Sequence, residues 1–193
     1  MISTPTETED LRLINYTKYS AVIFDCFGTI LNIKHKKNPY YHYLKRQGIR
    51  DVNIYNFIMK NNLKLEDLSP FLGVVENEEL LKESKQLLEF ELSTIVMFED
   101  AKDVLNSLDK STKILICSNL AQPYHKPISN INCLKVLSYE VGFIKPEIEI
   151  YSICLEKLNV NPNETLFVGD NFISDYLAPQ KIGMNSCWLN RKK

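Results

Sequence analysis

Short, continuously apolar segments, each followed at once by a polar side chain, are the strongest constraint on the fold of this chain. Three of them stand out, at Ala21–Phe24, Lys113–Cys117 and Thr165–Val168. Such runs between turn signals are typical of strands buried on both faces. Stretches with helical spacing lie between them, including residues 100–108 and 147–158. Strands that alternate with helices predict an α/β fold with a parallel sheet.

Two further segments extend this predicted sheet, and a long insertion interrupts it. Lys135–Leu137 and Ser186–Leu189 are predicted strands, the second at an edge of the sheet. From residue 32 to residue 98 the strand-like runs stop and leucines recur with helical spacing. We therefore predict an α/β core formed by residues 1–31 and 99–193, and an all-helical insertion over residues 32–98. Helices near 40–46 and 54–61 precede a longer one, with Ser69-Pro70 as a break.

The charge and cysteine content exclude several classes of protein. Lys and Arg together number 23 against 24 Asp and Glu, and a net charge of -1 provides no general field to attract nucleic acid. The 5 cysteines are dispersed without a CxxC pair, which predicts buried free thiols rather than zinc ligands or disulfides. The first ten residues are polar and acidic, and no run of 18 apolar residues occurs. We expect a cytoplasmic protein without membrane or nucleic-acid partners.

Polar side chains follow the predicted strands or open the predicted helices at four places. These are Asp25, Ser118-Asn119, Lys145 before Pro146, and Asp170 with Asp175. Because the carboxyl ends of parallel strands meet at one edge of a sheet, we expect these side chains to converge there. Gly28 permits a tight turn directly after the first of them.

In this order, the polar groups resemble the four motifs of the haloacid dehalogenase superfamily. Residues 25–29 are similar to the first motif, Ser118 to the second, Lys145 to the third, and Gly169-Asp170 with Asp175 to the fourth. The resemblance implies a Rossmann-like parallel sheet core with a small helical cap, and the insertion at 32–98 occupies the place of that cap. It also implies a hydrolase in which the carboxylate of Asp25 attacks the substrate.

The resemblance further implies a role for each site residue. The catalytic residues would be Asp25, Ser118 and Lys145, the substrate-binding residues Gly28, Thr29 and Asn119, and the metal ligands Asp25, Phe27, Asp170 and Asp175. Phe27 would contribute its backbone carbonyl. Carboxylates meeting in one cleft repel each other unless a cation is present, and Mg²⁺ is commonly shared between carboxylates and a substrate phosphate. The expected cofactor is therefore Mg²⁺, and the expected partner is a small phosphorylated molecule rather than another protein.

Phe27 departs from the pattern of the phosphatases in this superfamily. Most of those enzymes carry a second aspartate at this position, which protonates the leaving group. Positioned acid catalysis is worth about 10²–10⁴ in rate. A phosphatase with Phe27 is therefore expected to prefer leaving groups of low pKa, such as acyl or aryl phosphates, or to take an acid from the cap or the substrate.

Two alternatives remain beside a magnesium-dependent phosphatase that acts through an aspartyl-phosphate on Asp25. An aromatic residue at position 27 also resembles the metal-free 2-haloacid dehalogenases, and Tyr151 and Asn171 fit their pattern. Asp170 argues against this reading, because a metal-free site has no use for a further carboxylate. The second alternative is a degenerate member that binds a phosphorylated ligand or a partner protein without turnover.

Overall fold

The computed structural model describes residues 6–191, so the first five and last two residues of the predicted core lie outside the described part. Within residues 6–191 the strands are, in chain order, β1 (Glu7–Thr8), β2 (Ala21–Phe24), β3 (Leu31–Ile33), β4 (Ile95–Met97), β5 (Lys113–Ser118), β6 (Leu134–Leu137), β7 (Thr165–Gly169) and β8 (Asn185–Leu189). All strands predicted from apolar runs are present.

Six of these strands form one sheet in the order β1-β8-β7-β2-β5-β6, and every neighbouring pair is parallel. The prediction that the last strand lies at an edge is wrong. The short strand β1 pairs with the outer side of β8, with Glu7 opposite Trp188 and Thr8 opposite Leu189. Two polar residues are too few to show a periodicity, so this edge strand could not be predicted from the sequence.

The four helices predicted with bounds agree with the observed helices to within about two residues at each end. Within the described range the α-helices are α1 (Pro39–Arg46), α2 (Val52–Lys60), α3 (Leu68–Leu72), α4 (Glu78–Ser93), α5 (Glu99–Ser107), α6 (Ser138–Val141), α7 (Ile148–Leu158) and α8 (Ala178–Gln180). Ser69-Pro70 lies inside α3 rather than forming a break. Proline is tolerated there because a backbone N–H in the first turn of a helix has no acceptor within that helix, so its absence costs no hydrogen bond.

Helices cover both faces of the sheet and give a three-layer core. Successive residues of β2 point to opposite faces, as strand geometry requires. Val22 and Phe24 belong to a buried cluster that includes residues of α5, whereas Ile23 packs in a second cluster with residues of α7. The cysteines in the described range are all free, and all but the half-buried Cys133 are buried.

The insertion is helical, with its own apolar core formed by residues of α1 to α4. Its two ends form a short antiparallel ribbon, β3 with β4, in which Leu31 pairs with Met97 and Ile33 with Ile95. These strands were not predicted, because three residues are too few to show an alternating pattern. The ribbon brings the entry and exit of the insertion together beside the carboxyl end of β2.

Strand β2 occupies the point in the sheet where the direction of winding reverses. From β2 the chain proceeds to β5 and β6 on one side, and it then returns to β7 and β8 on the other. Ligands of open parallel sheets bind at such a point, outside the carboxyl ends of the strands. Within residues 6–191, no helix is both long and apolar enough to cross a bilayer.

Candidate active site

Asp25 directly follows β2, at the point where the winding of the sheet reverses. Its backbone N–H donates to the carbonyl of Val168 in β7 at 2.8 Å, and the residue is only 7% exposed. The chain then turns sharply at Gly28, which has a φ of 97°. A Cβ at this position would lie 2.3 Å from Oδ2 of Asp170. Gly28 is therefore required both by its backbone conformation and by the close approach of a second carboxylate.

Lys145 links two buried carboxylates. Its Nζ lies 2.6 Å from Oδ1 of Asp25 and 2.7 Å from Oδ1 of Asp175. Burial opposes the charged form of this ammonium, but the two carboxylates outweigh burial and hold the pKa of Lys145 well above its ordinary value. Asn119 fixes the backbone of Lys145 with two hydrogen bonds of 2.8 Å, one accepted and one donated by its side-chain amide. The ammonium is thus held, charged, against the predicted nucleophile.

Asp175 lies in a six-residue π-helical segment, Phe172–Leu177, which follows β7. Asn171 caps this segment through its side chain, and its backbone N–H donates to Oδ2 of Asp175 at 2.9 Å. A Cβ on Gly169 would lie 2.3 Å from the same oxygen, so glycine is needed at the end of β7. Burial raises the pKa of Asp175 to about 6.

Asp25, Asp170 and Asp175 each present a carboxylate oxygen within 4.8 Å of the others. Asp170 is the exposed member of this set, and its pKa is raised by partial burial and by the charge of Asp25. Oδ2 of Asp25 is buried and has no hydrogen-bond partner among residues 6–191. An unsatisfied buried carboxylate oxygen is unfavourable, and a divalent cation would satisfy it. The all-oxygen donor set therefore fits Mg²⁺.

The other predicted site residues lie at the same edge of the sheet. Ser118 is the last residue of β5 and is buried. The N–H of Gly28 donates to the carbonyl of Leu31, and the hydroxyl of Thr29 is buried without a partner among residues 6–191. Gly28 and Asn119 thus hold the loops in shape here. Direct contact of Gly28, Thr29 and Asn119 with substrate stays a prediction.

Phe27 lies at the boundary between the core and the insertion. Its ring packs edge-on against Tyr124, with 5.9 Å between the ring centroids. Both rings line a cavity of about 210 Å³, whose other walls include Tyr40 and Tyr55 of the insertion. The hydroxyl of Tyr124 donates to Oε1 of the buried Glu91 at 2.5 Å.

Tyr124 and Glu91 were not identified as site residues from the sequence. They are 33 positions apart and belong to no local pattern. A buried glutamate on a helix that is otherwise charged along much of its surface gives no distinguishing signal. Only the packing of the insertion on the core brings this pair together.

Two side chains that fitted the dehalogenase pattern are engaged in holding the loop around Asp175. The hydroxyl of the fully buried Tyr151 donates to the backbone carbonyl of Ser174 at 2.5 Å. The side-chain oxygen of Asn171 accepts from the backbone N–H groups of Ile173 and Ser174. These contacts give both residues a structural role, so their presence does not by itself indicate dehalogenation.

Comparison with curated proteins gives short, partial matches. The chain is 41% identical over 58 residues to the pyrimidine 5'-nucleotidase YjjG of Escherichia coli, covering 30% of this chain and 26% of that protein. It is 36% identical over 55 residues to the glyceraldehyde 3-phosphate phosphatase of Methanothermobacter thermautotrophicus, covering 28% of this chain and 24% of that protein. The matched segments therefore span about a quarter of these relatives.

Solved structures match over most of the chain at low sequence identity. A HAD-family enzyme from Bacteroides thetaiotaomicron, solved in complex with magnesium and inorganic phosphate, has a TM-score of 0.68 at 19% identity, covering 91% of this chain and 96% of that one. A HAD phosphatase from Thermococcus onnurineus has a TM-score of 0.60 at 22% identity, covering 90% and 87%. At these identities the likeness shows a shared fold.

The family comparison covers most of the chain and includes every motif described above. Residues 19–183 match the haloacid dehalogenase-like hydrolases, a range that contains Asp25, Lys145 and the carboxylates after β7. The parallel six-stranded sheet with its helices agrees with that assignment. The chain belongs to the haloacid dehalogenase-like hydrolase family.

Proposed function

We propose that this protein is a magnesium-dependent phosphatase that acts on a small phosphorylated molecule through a covalent intermediate on Asp25. The observation that carries the proposal is the meeting of three carboxylates and one buried ammonium where the winding of the sheet reverses. Two relatives with partial matches, a nucleotidase and a phosphatase, support phosphate ester chemistry. A structural neighbour solved with magnesium and phosphate supports the choice of cation.

The residues around Asp25 suit a two-step displacement. An oxygen of the Asp25 carboxylate attacks phosphorus, and the bond from phosphorus to the leaving oxygen breaks with its electron pair on the leaving group. Water then attacks the phosphorus of the resulting acyl phosphate, which releases inorganic phosphate and restores the carboxylate. Lys145 holds Asp25 in place through Oδ1 and supplies a fixed positive charge near the developing negative charge.

A magnesium ion would be held by Asp25, Asp170, Asp175 and the backbone carbonyl of Phe27. When bound, it would offset the mutual repulsion of the carboxylates and the charge of the phosphoryl oxygens. Oδ2 of Asp25, which has no partner in the described part of the chain, supports this assignment. Ser118, at the end of β5, is proposed to hold a phosphoryl oxygen.

The surroundings of Phe27 support a leaving group that departs without a proton from the enzyme. Phe27 itself has no acidic group, and the hydroxyl of the neighbouring Tyr124 donates a hydrogen bond to Glu91. Burial and this hydrogen bond raise the pKa of Tyr124, which makes it a poorer acid. The aromatic walls of the cavity suit an apolar leaving group. We therefore propose aryl phosphates, or other esters of acidic alcohols, as the preferred class.

The first prediction concerns the choice of leaving group. With Mg²⁺ present, we expect phosphate release from 4-nitrophenyl phosphate to exceed release from glycerol 3-phosphate by about 10²–10⁴ in kcat/KM, the usual worth of a positioned acid. EDTA should stop the reaction, and excess Mg²⁺ should restore it. Equal turnover of the two esters would contradict the proposed leaving-group preference.

Assays on the same purified protein distinguish the proposed phosphatase from the two alternatives, a metal-free dehalogenase and a member without turnover. Chloride release from 2-chloropropionate that persists in EDTA would identify a metal-free dehalogenase. Binding of inorganic phosphate without turnover of any ester would identify a degenerate member. Phosphate release that requires Mg²⁺ is the result expected here, and each of the other two outcomes would overturn it.

The second prediction concerns the pH dependence of Mg²⁺ binding. Because burial raises the pKa of Asp175 to about 6, this carboxyl is largely protonated below that pH, and a cation must displace the proton. We expect the Kd for Mg²⁺ to rise as the pH falls below about 6, by up to about tenfold per pH unit for each proton displaced. An unchanged Kd between pH 7 and pH 5 would contradict this.

The chain contains an intrinsic probe for that titration. Trp188 is its single tryptophan, and its indole Nε1 donates to the backbone carbonyl of Asp170 at 3.1 Å. Cation binding at Asp170 should therefore change the tryptophan fluorescence, and the midpoint of that change gives the Kd. A parallel titration with Na⁺ at equal ionic strength controls for screening.

A further inference from the structure

Arg191, which follows β8, contacts the turn directly after the predicted nucleophile. Its Nε donates to the backbone carbonyl of Gly28 at 3.2 Å, and its Nη2 donates to the carbonyl of Thr29 at 2.9 Å. The guanidinium also stacks on Phe98, with 3.9 Å from Cζ to the ring centroid. A single side chain thus donates hydrogen bonds to two successive carbonyls of the turn at Gly28-Thr29.

A buried carboxylate fixes Arg191 in this position. Oδ1 of Asp100 accepts from Nη2 of Arg191 at 3.0 Å, and Asp100 is 5% exposed. Oδ2 of Asp100 accepts from the backbone N–H of Leu11 at 2.9 Å. Hydrogen bonds between a guanidinium and a carboxylate are strong and directional, so the arginine has little freedom to move.

The same turn is also held by its own backbone hydrogen bonds. The N–H groups of Ile30 and Leu31 both donate to the carbonyl of Cys26 at 2.8 Å, while Gly28 donates to the carbonyl of Leu31. Arg191 donates to two carbonyls that these backbone bonds do not use. The turn is therefore held by two separate sets of hydrogen bonds, and Gly28 lies close to the carboxylate of Asp170.

We propose that Arg191 is a positioning residue that keeps the turn at Gly28-Thr29 in the shape required for cation binding. It acts on the peptide units directly after Phe27, whose carbonyl is a proposed ligand, and it keeps Asp25 and Asp170 close to each other. The part of this inference that concerns Mg²⁺ rests on the proposed function, whereas the restraint of the turn does not. Lysine cannot replace arginine here, because one ammonium cannot span two carbonyls and also stack on Phe98.

The test compares Arg191→Ala with a matched control, Arg12→Ala. Arg12 also forms ion pairs with aspartates, Asp10 and Asp103, but it is exposed and its hydrogen bonds do not involve the turn. Isothermal titration calorimetry should show Mg²⁺ affinity about 10–100-fold weaker in Arg191→Ala and unchanged in Arg12→Ala, as for other residues that orient metal ligands. Methylguanidinium at millimolar concentration should restore part of the affinity.

A second measurement does not depend on the cation. Hydrogen exchange of the peptide covering residues 26–31, without Mg²⁺, should be faster in Arg191→Ala than in the wild type, and unchanged in Arg12→Ala. If the alanine variant does not fold, Arg191→Lys takes its place with the same expectations. Wild-type exchange together with wild-type Mg²⁺ affinity in these variants would overturn the inference. A wild-type protein that binds no Mg²⁺ would instead overturn the proposed function, and exchange of the turn would still decide the role of Arg191.

Discussion

Replacing Asp25 with asparagine is expected to slow phosphate release from an aryl ester by at least about 10⁴-fold, the scale seen when a nucleophile is removed from an enzyme. The amide cannot form an acyl phosphate, and it also loses the charge-assisted contact with Lys145. Steady-state release of 4-nitrophenol measures the loss. Acid quenching during turnover should trap a phosphorylated wild-type protein and none from Asp25→Asn.

The control for this experiment is Asp103→Asn, which changes an exposed aspartate outside the site and should leave turnover unchanged. Circular dichroism and thermal unfolding should show that Asp25→Asn is folded, because the Lys145 ammonium keeps Asp175 as a partner. Asp25→Ala is measured as well, because slow deamidation of the asparagine would restore an aspartate at this position. Full turnover in both Asp25 variants would remove the basis of the proposed mechanism.

Replacing Phe27 with aspartate is expected to raise kcat/KM for alkyl phosphates such as glycerol 3-phosphate by about 10²–10⁴-fold. The new carboxylic acid would stand two residues after the nucleophile and could protonate a basic leaving oxygen. The backbone carbonyl proposed as a cation ligand is kept in this variant. Turnover of 4-nitrophenyl phosphate should change far less, because that leaving group needs no proton.

Phe27→Asn is the matched control, since asparagine has the same shape as aspartate and no acidic proton. Both variants lose the edge-on contact with Tyr124, so any loss of stability caused by removing the phenyl ring is the same in both. The selective gain should appear only with aspartate. Equal rates for the two variants on alkyl phosphates would show that a missing acid does not limit this enzyme.

The central strands were predictable because burial on both faces leaves continuous apolar runs. Strands β2, β5 and β7 are of this kind, and their carboxyl ends meet in a parallel sheet. For that reason the convergence of Asp25, Lys145 and the carboxylates after β7 could be expected from sequence positions alone. The edge strand β1 and the strands of the β3–β4 ribbon could not be predicted, because each is too short to show a periodic pattern.

Contacts between residues distant in the sequence were outside the reach of pattern analysis. Asn119 was expected to hold substrate, yet its amide is engaged by the backbone of Lys145, 26 positions away. Arg191 reaches Gly28 across 163 positions. Such pairs depend on how the elements pack against one another, and no local spacing indicates them. The sequence therefore predicted the convergence of the candidate site residues better than it predicted the residues that orient them.

The β3–β4 ribbon has a consequence for how the insertion could be exchanged. Ile33 and Ile95 are paired across it, so a two-residue hairpin turn would be enough to close the chain at that point. The two strands of the ribbon would then remain paired whatever is inserted beyond those two isoleucines. Different helical modules could be grafted there to admit different molecules, while Asp25 keeps its place directly after β2.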